Sequence, residues 1–249
     1  MLKTTNVIKT KSFKLAVYQK GSIESDKLAL VLPGKLDTKD YPHMRSHVDF
    51  LSTKGYLALS FDPPGTWESE GKISEYNITN YLKAIVELIE YFGNKPTLLI
   101  GHSRRGSMSI LAGTKLEQVK EFVAIMFRYS YQSKKIDSEK WDRGFKISTR
   151  DTPEEYEERN KKFKLPYSFV VDSAKYDLTE DLKTCTKPKL FIAGSRDDQI
   201  DPLIVREAYE ISAEPKKFEM LDSDHDYRRD PERIQKVNEI ISEFLKTLD

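Results

Sequence analysis

Leu98-Leu99-Ile100-Gly101-His102-Ser103-Arg104-Arg105-Gly106-Ser107-Met108 is the stretch whose reading decides the fold. Pro96 and Thr97 lead into an apolar run suited to a buried strand, and Met108, Ile110, Leu111 and Ala112 then suit a helix packed on a sheet. A serine in such a strand-turn-helix is held out above the sheet by a strained backbone, with the next residue's amide aimed where an oxyanion can form. Gly101 fits the need for close approach of strand and helix. Where the G-x-S-x-G pattern has its second glycine, however, the chain has Arg105, and Gly106 comes one step later. Alone, a Gly-x-Ser turn is a weak signal that an ordinary turn serine fits equally well.

Outward from this turn the chain alternates strands and helices. Leu28–Leu32 is a continuous apolar run ending at Pro33-Gly34, as expected of a strand covered on both faces. Met44, Val48 and Leu51 predict a helix from about Tyr41 to Lys54, and Tyr56–Phe61 is a second buried strand. Ile78, Tyr81, Leu82, Ile85, Leu88, Ile89 and Phe92 recur at helical spacing, and Glu121–Phe127 supplies a strand after the serine turn. Lys189–Gly194, Pro202–Ile211, Lys217–Leu221 and the striped segment after Asp230-Pro231 continue the rhythm. Val7 to Tyr18 predicts one or two antiparallel edge strands. This alternation predicts an α/β fold, a mostly parallel sheet with helices on both faces and ligands beyond the carboxyl ends of the strands.

At 249 residues the chain can form one domain over 1–249. The charged, aromatic-rich segment of about 128–183 is the exception, and it is expected to be an inserted, partly helical cap over the site. Within it Thr152-Pro153-Glu154-Glu155 predicts a helix start, with Thr152 as N-cap. Lys+Arg 41 against Asp+Glu 40 gives a formal net charge of +1, so no broad basic surface for nucleic acid or anionic lipid is expected, nor a polyanionic substrate. Cys185 is the single cysteine, which forbids an internal disulfide, and the first residues lack an apolar signal segment. No apolar run approaches the ~20 residues of a membrane span, so a soluble cytoplasmic protein is expected.

A serine hydroxyl needs a base within hydrogen-bond reach, and that base needs an anion to fix its tautomer. Of the four histidines, His43 and His47 lie on the predicted first helix and His102 sits in the serine turn. His225, in a polar loop after the last strand, is the candidate base, because that loop emerges at the same sheet edge as Ser103. The acid is expected at a strand end between serine and histidine, where Asp197, Asp198 and Asp201 stand. Asp201 before Pro202 has the form of an N-cap, Asp197 is the preferred acid, and Asp198 is its rival. The order Ser, Asp, His differs from those of chymotrypsin and subtilisin.

With these residues the chain resembles the α/β-hydrolase superfamily over nearly its full length, in particular the small-cap esterase and serine aminopeptidase-like kind that includes cinnamoyl esterases. Asp62-Pro63-Pro64-Gly65-Thr66-Trp67-Glu68-Ser69-Glu70-Gly71 is similar to the family's D-x-x-G-x-G-x-S-x-G loop, with Trp67 in place of its second glycine. Pro33-Gly34 stands where the family has His-Gly. The resemblance implies an oxyanion hole built from the backbone N–H groups of Lys35 and Arg104. It implies hydrolysis of an ester or amide of a small molecule through an acyl-enzyme, esters before amides, with neither metal nor cofactor. Aromatic residues in the cap, among them Trp141, Tyr156, Phe163 and Phe169, point to an apolar or aromatic group on the substrate. Arg105 is expected in a surface salt bridge; alternatively, Arg104-Arg105 faces the pocket and favours an acidic or carbonyl-rich substrate. It also motivates the competing view of a non-catalytic binding protein on the same fold. Trp67 is expected either to pack its loop or to wall the pocket.

Overall fold

The computed structural model describes residues 6–130 and 144–248; residues 131–143, including Trp141, lie outside the described part. Four strands form the centre of the sheet: β3 (Leu28–Leu32), β4 (Leu57–Phe61), β5 (Thr97–His102) and β6 (Val119–Ile125). They pair in parallel in the order β4-β3-β5-β6. Two more parallel strands, β9 (Lys189–Gly194) and β10 (Lys216–Leu221), extend one side. On the other side, β1 (Asn6–Lys9) and β2 (Lys14–Lys20) are antiparallel edge strands, completing eight.

The apolar runs of the central strands follow from this placement. Alternate side chains point to opposite faces, and both faces are covered by helices. On one face Leu30, Leu59, Leu99, Phe122 and Phe191 pack with α2 (Ile78–Tyr91), α3 (Arg104–Lys115) and α6 (Pro202–Ile211). On the other, Val31, Ala58, Ile100, Val123 and Ile192 pack with α1 (Pro42–Thr53) and α7 (Pro231–Leu245). Helix starts are set locally. Asn77 accepts from the Asn80 amide, Asp201 from that of Leu203, and Asp230 from those of Glu232 and Arg233.

The segment expected to be a cap corrects one expectation. No helix begins at Thr152-Pro153. Instead β7 (Phe145–Asp151) and β8 (Asn160–Pro166) form an antiparallel hairpin, followed by the short helices α4 (Ser168–Ser173) and α5 (Thr179–Thr184). Thr152-Pro153 opens the turn between the strands, with the Thr152 amide donating to the Arg159 carbonyl and that of Tyr156 to Pro153. The local capping signal is overridden because Phe163 and Leu165, spaced by two, must bury one strand face against Leu36, Trp67 and Tyr76. Arg228 fastens this hairpin to the body with two hydrogen bonds of 2.9 and 2.8 Å to the Asp151 carboxylate. No helix among the described residues is long and apolar enough to cross a membrane.

Candidate active site

Ser103 sits between β5 and α3 with φ 57° and ψ −127°, a left-handed backbone that a non-glycine residue adopts only under tertiary constraint. The constraint is visible. The Ser103 amide donates to the Ile125 carbonyl at 2.8 Å, and its own carbonyl accepts from the Gly106 amide at 3.0 Å. A Cβ on Gly101 would collide with the Arg105 carbonyl, and one on Gly106 would lie 2.6 Å from the Phe127 Cβ. Close approach of helix and sheet therefore depends on Gly101 and Gly106, so position 105 is free to carry a side chain.

That side chain corrects both expectations for Arg105. It makes no surface salt bridge and does not line the pocket. It is fully buried, with its guanidinium carbon 3.9 Å from the ring centre of Tyr81 and 5.1 Å from that of Tyr76. Its three nitrogens have no hydrogen-bond partner among the described residues. The helix turn directs position 105 back towards α2, where aromatic faces, not carboxylates, receive it.

The structure brings Ser103, His225 and Asp197 together. His225 Nε2 is 2.8 Å from Ser103 Oγ, and His225 Nδ1 is 2.8 Å from Asp197 Oδ2. The other Asp197 oxygen accepts the amides of Gln199 and Ile200, each at 2.8 Å, which fixes the carboxylate plane. Since Asp197 can only accept in its ionised form, His225 carries its proton on Nδ1, and Nε2 presents a lone pair to the serine hydroxyl. Asp198 is exposed and turned to another surface recess, and Asp201 caps α6 as expected. The loop bearing His225 is drawn close to β9. The amides of Ser195 and Arg196 donate to the carbonyls of Leu221 and Ser223, and a Cβ on Gly194 would come within 2.8 Å of the latter.

Lys35 and Arg104 both border the cavity beside Ser103. The turn holding Lys35 is clamped through its neighbour Leu36, at φ 56°, whose amide donates to the Tyr76 hydroxyl and whose carbonyl accepts from the Trp67 indole. Trp67 thus packs its loop and is absent from the cavity wall. Its own φ of 48° lies in the left-handed region that favours glycine. The loop is tied down at Asp62. This buried carboxylate accepts from the Thr38 hydroxyl and from the Lys39 and Glu68 amides, while the Ser69 hydroxyl donates to the Asp62 carbonyl.

Beneath the serine lies a histidine cluster whose structural part sequence inspection did not reveal. His102 Nε2 donates to the His225 carbonyl at 3.1 Å, so one turn histidine steadies the loop of the other. Burial, reinforced by neighbouring histidines and Arg228, pushes His43 and His102 well below the ordinary imidazole range, so both are neutral. Among the described residues, Asp37, His43 and His102 form the group that could hold a metal ion, with ligand atoms within 4.8 Å of one another. The Asp37 carboxylate is already paired with Arg150, and Lys35 and Arg150 border the same cavity, so the surroundings are electropositive. Asp37 and Arg150 reach the site through folding, and no motif in the sequence marks either.

The cavity above Ser103 has a volume of about 410 Å³. Among the described residues its wall contains none of the expected cap aromatics, Trp141 lying outside them. Phe163 and Phe169 pack instead with Leu36, Trp67 and Tyr76, and Tyr156 packs against that cluster. The wall is polar: Lys35, Arg104, Arg128 and Arg150 supply cations, and Asp37 and Asp226 supply anions.

No family model matches this sequence, and no curated protein matches it. Solved structures do. Est1E from Butyrivibrio proteoclasticus, with ferulic acid bound, superposes with a TM-score of 0.75 at 18% identity, covering 97% of this chain and 98% of that one. Mouse alpha/beta hydrolase domain-containing protein 10 gives 0.76 at 17% identity, covering 99% and 100%. The Pyrococcus furiosus esterase Pf2001 gives 0.67 at 21% identity, covering 98% and 91%. With the parallel sheet and the strained serine between β5 and α3, these likenesses show that the chain has the α/β-hydrolase fold.

Proposed function

We propose that the chain is a serine hydrolase that cleaves a carboxylic ester, or a similar acyl bond, of a small molecule. The observation that carries this reading is the continuous relay Ser103–His225–Asp197, with both hydrogen bonds at 2.8 Å. In this mechanism His225 Nε2 takes the Ser103 proton as Oγ attacks the acyl carbon, and Asp197 stabilises the imidazolium that forms. The carbonyl oxygen, now anionic, is held by the backbone N–H groups of Lys35 and Arg104. Each such donor is worth about 3 kcal/mol of transition-state stabilisation. Collapse breaks the bond to the leaving group, which takes the proton from His225. Water then attacks the acyl-serine by the same route in reverse and releases the acid.

The competing view of a binding protein rested on Arg105, and the burial of that residue away from the cavity removes its motive. The single cysteine supports a cytoplasmic setting. The test is labelling with a fluorophosphonate: the wild-type protein reacts and Ser103→Ala does not. A wild-type protein that stays unlabelled and releases no phenol from short-chain aryl esters defeats the proposal.

A further inference from the structure

Resting on the hydrolase reading, we propose that the substrate is an anionic ester, one carrying a carboxylate or phosphate group that docks against Lys35 and Arg128 at the rim of the serine cavity. The argument is one of unequal charge. Of the two carboxylates among the described lining residues, Asp37 is paired with Arg150, and Asp226 is shared between Arg228 and Arg229 at 3.4 and 3.2 Å. Among the described residues neither carboxylate forms an ion pair with Lys35 or Arg128. Lys35 has no carboxylate partner among the described residues; its ammonium group lies 5.9 Å from the Phe169 ring centre. Arg128 donates to the Gln199 backbone carbonyl at 3.2 Å and likewise has no carboxylate partner there.

The neighbours of Lys35 compound this. Burial, then Arg104, Lys146 and Arg150, bring its ammonium group down to about 8. It is still mostly protonated at neutral pH, so it waits as a partly desolvated cation among cations. An incoming anion relieves that repulsion and is attracted through a partly water-excluded medium. A neutral ester of the same shape gains nothing from it. Arg128 follows β6 by three residues and Lys35 follows β3 by three, so both stand at the carboxyl edge where Ser103 also emerges. A single small molecule can therefore present its acyl carbon to Ser103 and a charged end to the rim.

The experiment compares esters matched in length and differing in charge. For an anion on the acyl side, the mono-4-nitrophenyl ester of glutaric acid is compared with 4-nitrophenyl valerate. For one on the leaving side, the butyrate ester of 4-hydroxybenzoate is compared with that of methyl 4-hydroxybenzoate. The charged member of at least one pair is expected to show a kcat/KM about tenfold to a hundredfold higher, the range of a charge-assisted hydrogen bond. Lys35→Met and Arg128→Met each lower that ratio, and raising the salt to 1 M compresses it. A ratio of one or below in both pairs, with the neutral esters turned over, overturns the proposal and leaves the hydrolase reading intact. Calorimetry on Ser103→Ala protein separates the two readings in the other direction. Binding of monomethyl glutarate in preference to dimethyl glutarate, by a protein whose wild type neither hydrolyses nor labels, upholds the anion site and refutes hydrolysis. No preference there refutes the anion site.

Discussion

Replacing Arg105 with methionine should stabilise this protein, although it removes contacts to two aromatic rings. A desolvated cation over an aromatic face gains about 2 kcal/mol, and Arg105 lies 3.9 Å from the Tyr81 ring centre. Against this stands the transfer of a guanidinium from water to a fully buried site, where its three nitrogens have no hydrogen-bond partner among the described residues. The effective penalty for such a burial is several kcal/mol per ion. Placement in the first turn of α3, at the positive end of the helix dipole, adds a few tenths of a kcal/mol more. Methionine keeps an unbranched side chain in the same channel and offers its sulfur to the rings. The expected net gain is about 1–3 kcal/mol, within the span of roughly 0–4 kcal/mol seen when buried ions give way to well-packed apolar groups. In a chain of this size that raises the melting midpoint by roughly 2–12 °C. Arg105→Ala, which leaves a void, should lose most of this gain. Urea unfolding with a shared slope measures the difference directly. Because Arg105 does not line the cavity, ester turnover should stay within a few fold of wild type. A loss of more than about 1 kcal/mol in Arg105→Met would refute the reasoning, since it would mean that the ring contacts outweigh desolvation.

Asp197→Asn should lower kcat by about 10⁴-fold with little change in stability. The oxygen that receives the Gln199 and Ile200 amides keeps its place, so the new amide group faces His225 Nδ1 and drives the proton onto Nε2, where the base needs its lone pair. Steady-state hydrolysis of an aryl ester checks it, and retained activity would remove Asp197 from the relay. His47 makes acid stability testable. It is fully buried, lies between Asn238 and Tyr227, and is pushed down to about 4, chiefly by burial. Below pH 6.5 the unfolded chain binds a proton that the folded one refuses, so stability falls with pH until about 4, by on the order of 3 kcal/mol from this group. Unfolding midpoints across that window should fall less steeply in His47→Gln, and equal slopes would show that His47 does not contribute.

Sequence alone determined what repeats and what is local. The apolar runs at Leu28–Leu32, Leu57–Phe61 and Leu98–Ile100, separated by striped helices, dictate a parallel sheet buried on both faces, because no other arrangement hides them. Proline and aspartate at helix starts act within one turn, so α6 and α7 begin where Asp201-Pro202 and Asp230-Pro231 place them. The order Ser103, Asp197, His225 was legible because each follows a strand, and strand ends share one edge. Tertiary structure decided the rest. Thr152-Pro153 carries a helix signal, yet the need of Phe163 and Leu165 for one buried face made a hairpin of it. Arg105 reads as a flaw in a glycine motif until the helix turn aims it at Tyr81. A net charge of +1 conceals a cavity rim where Lys35 and Arg128 meet no carboxylate among the described residues, for charge sums over the chain while a field acts over a few ångströms. Whether two charges are neighbours is set by which strand ends and loops fold together, and no spacing along the chain records it.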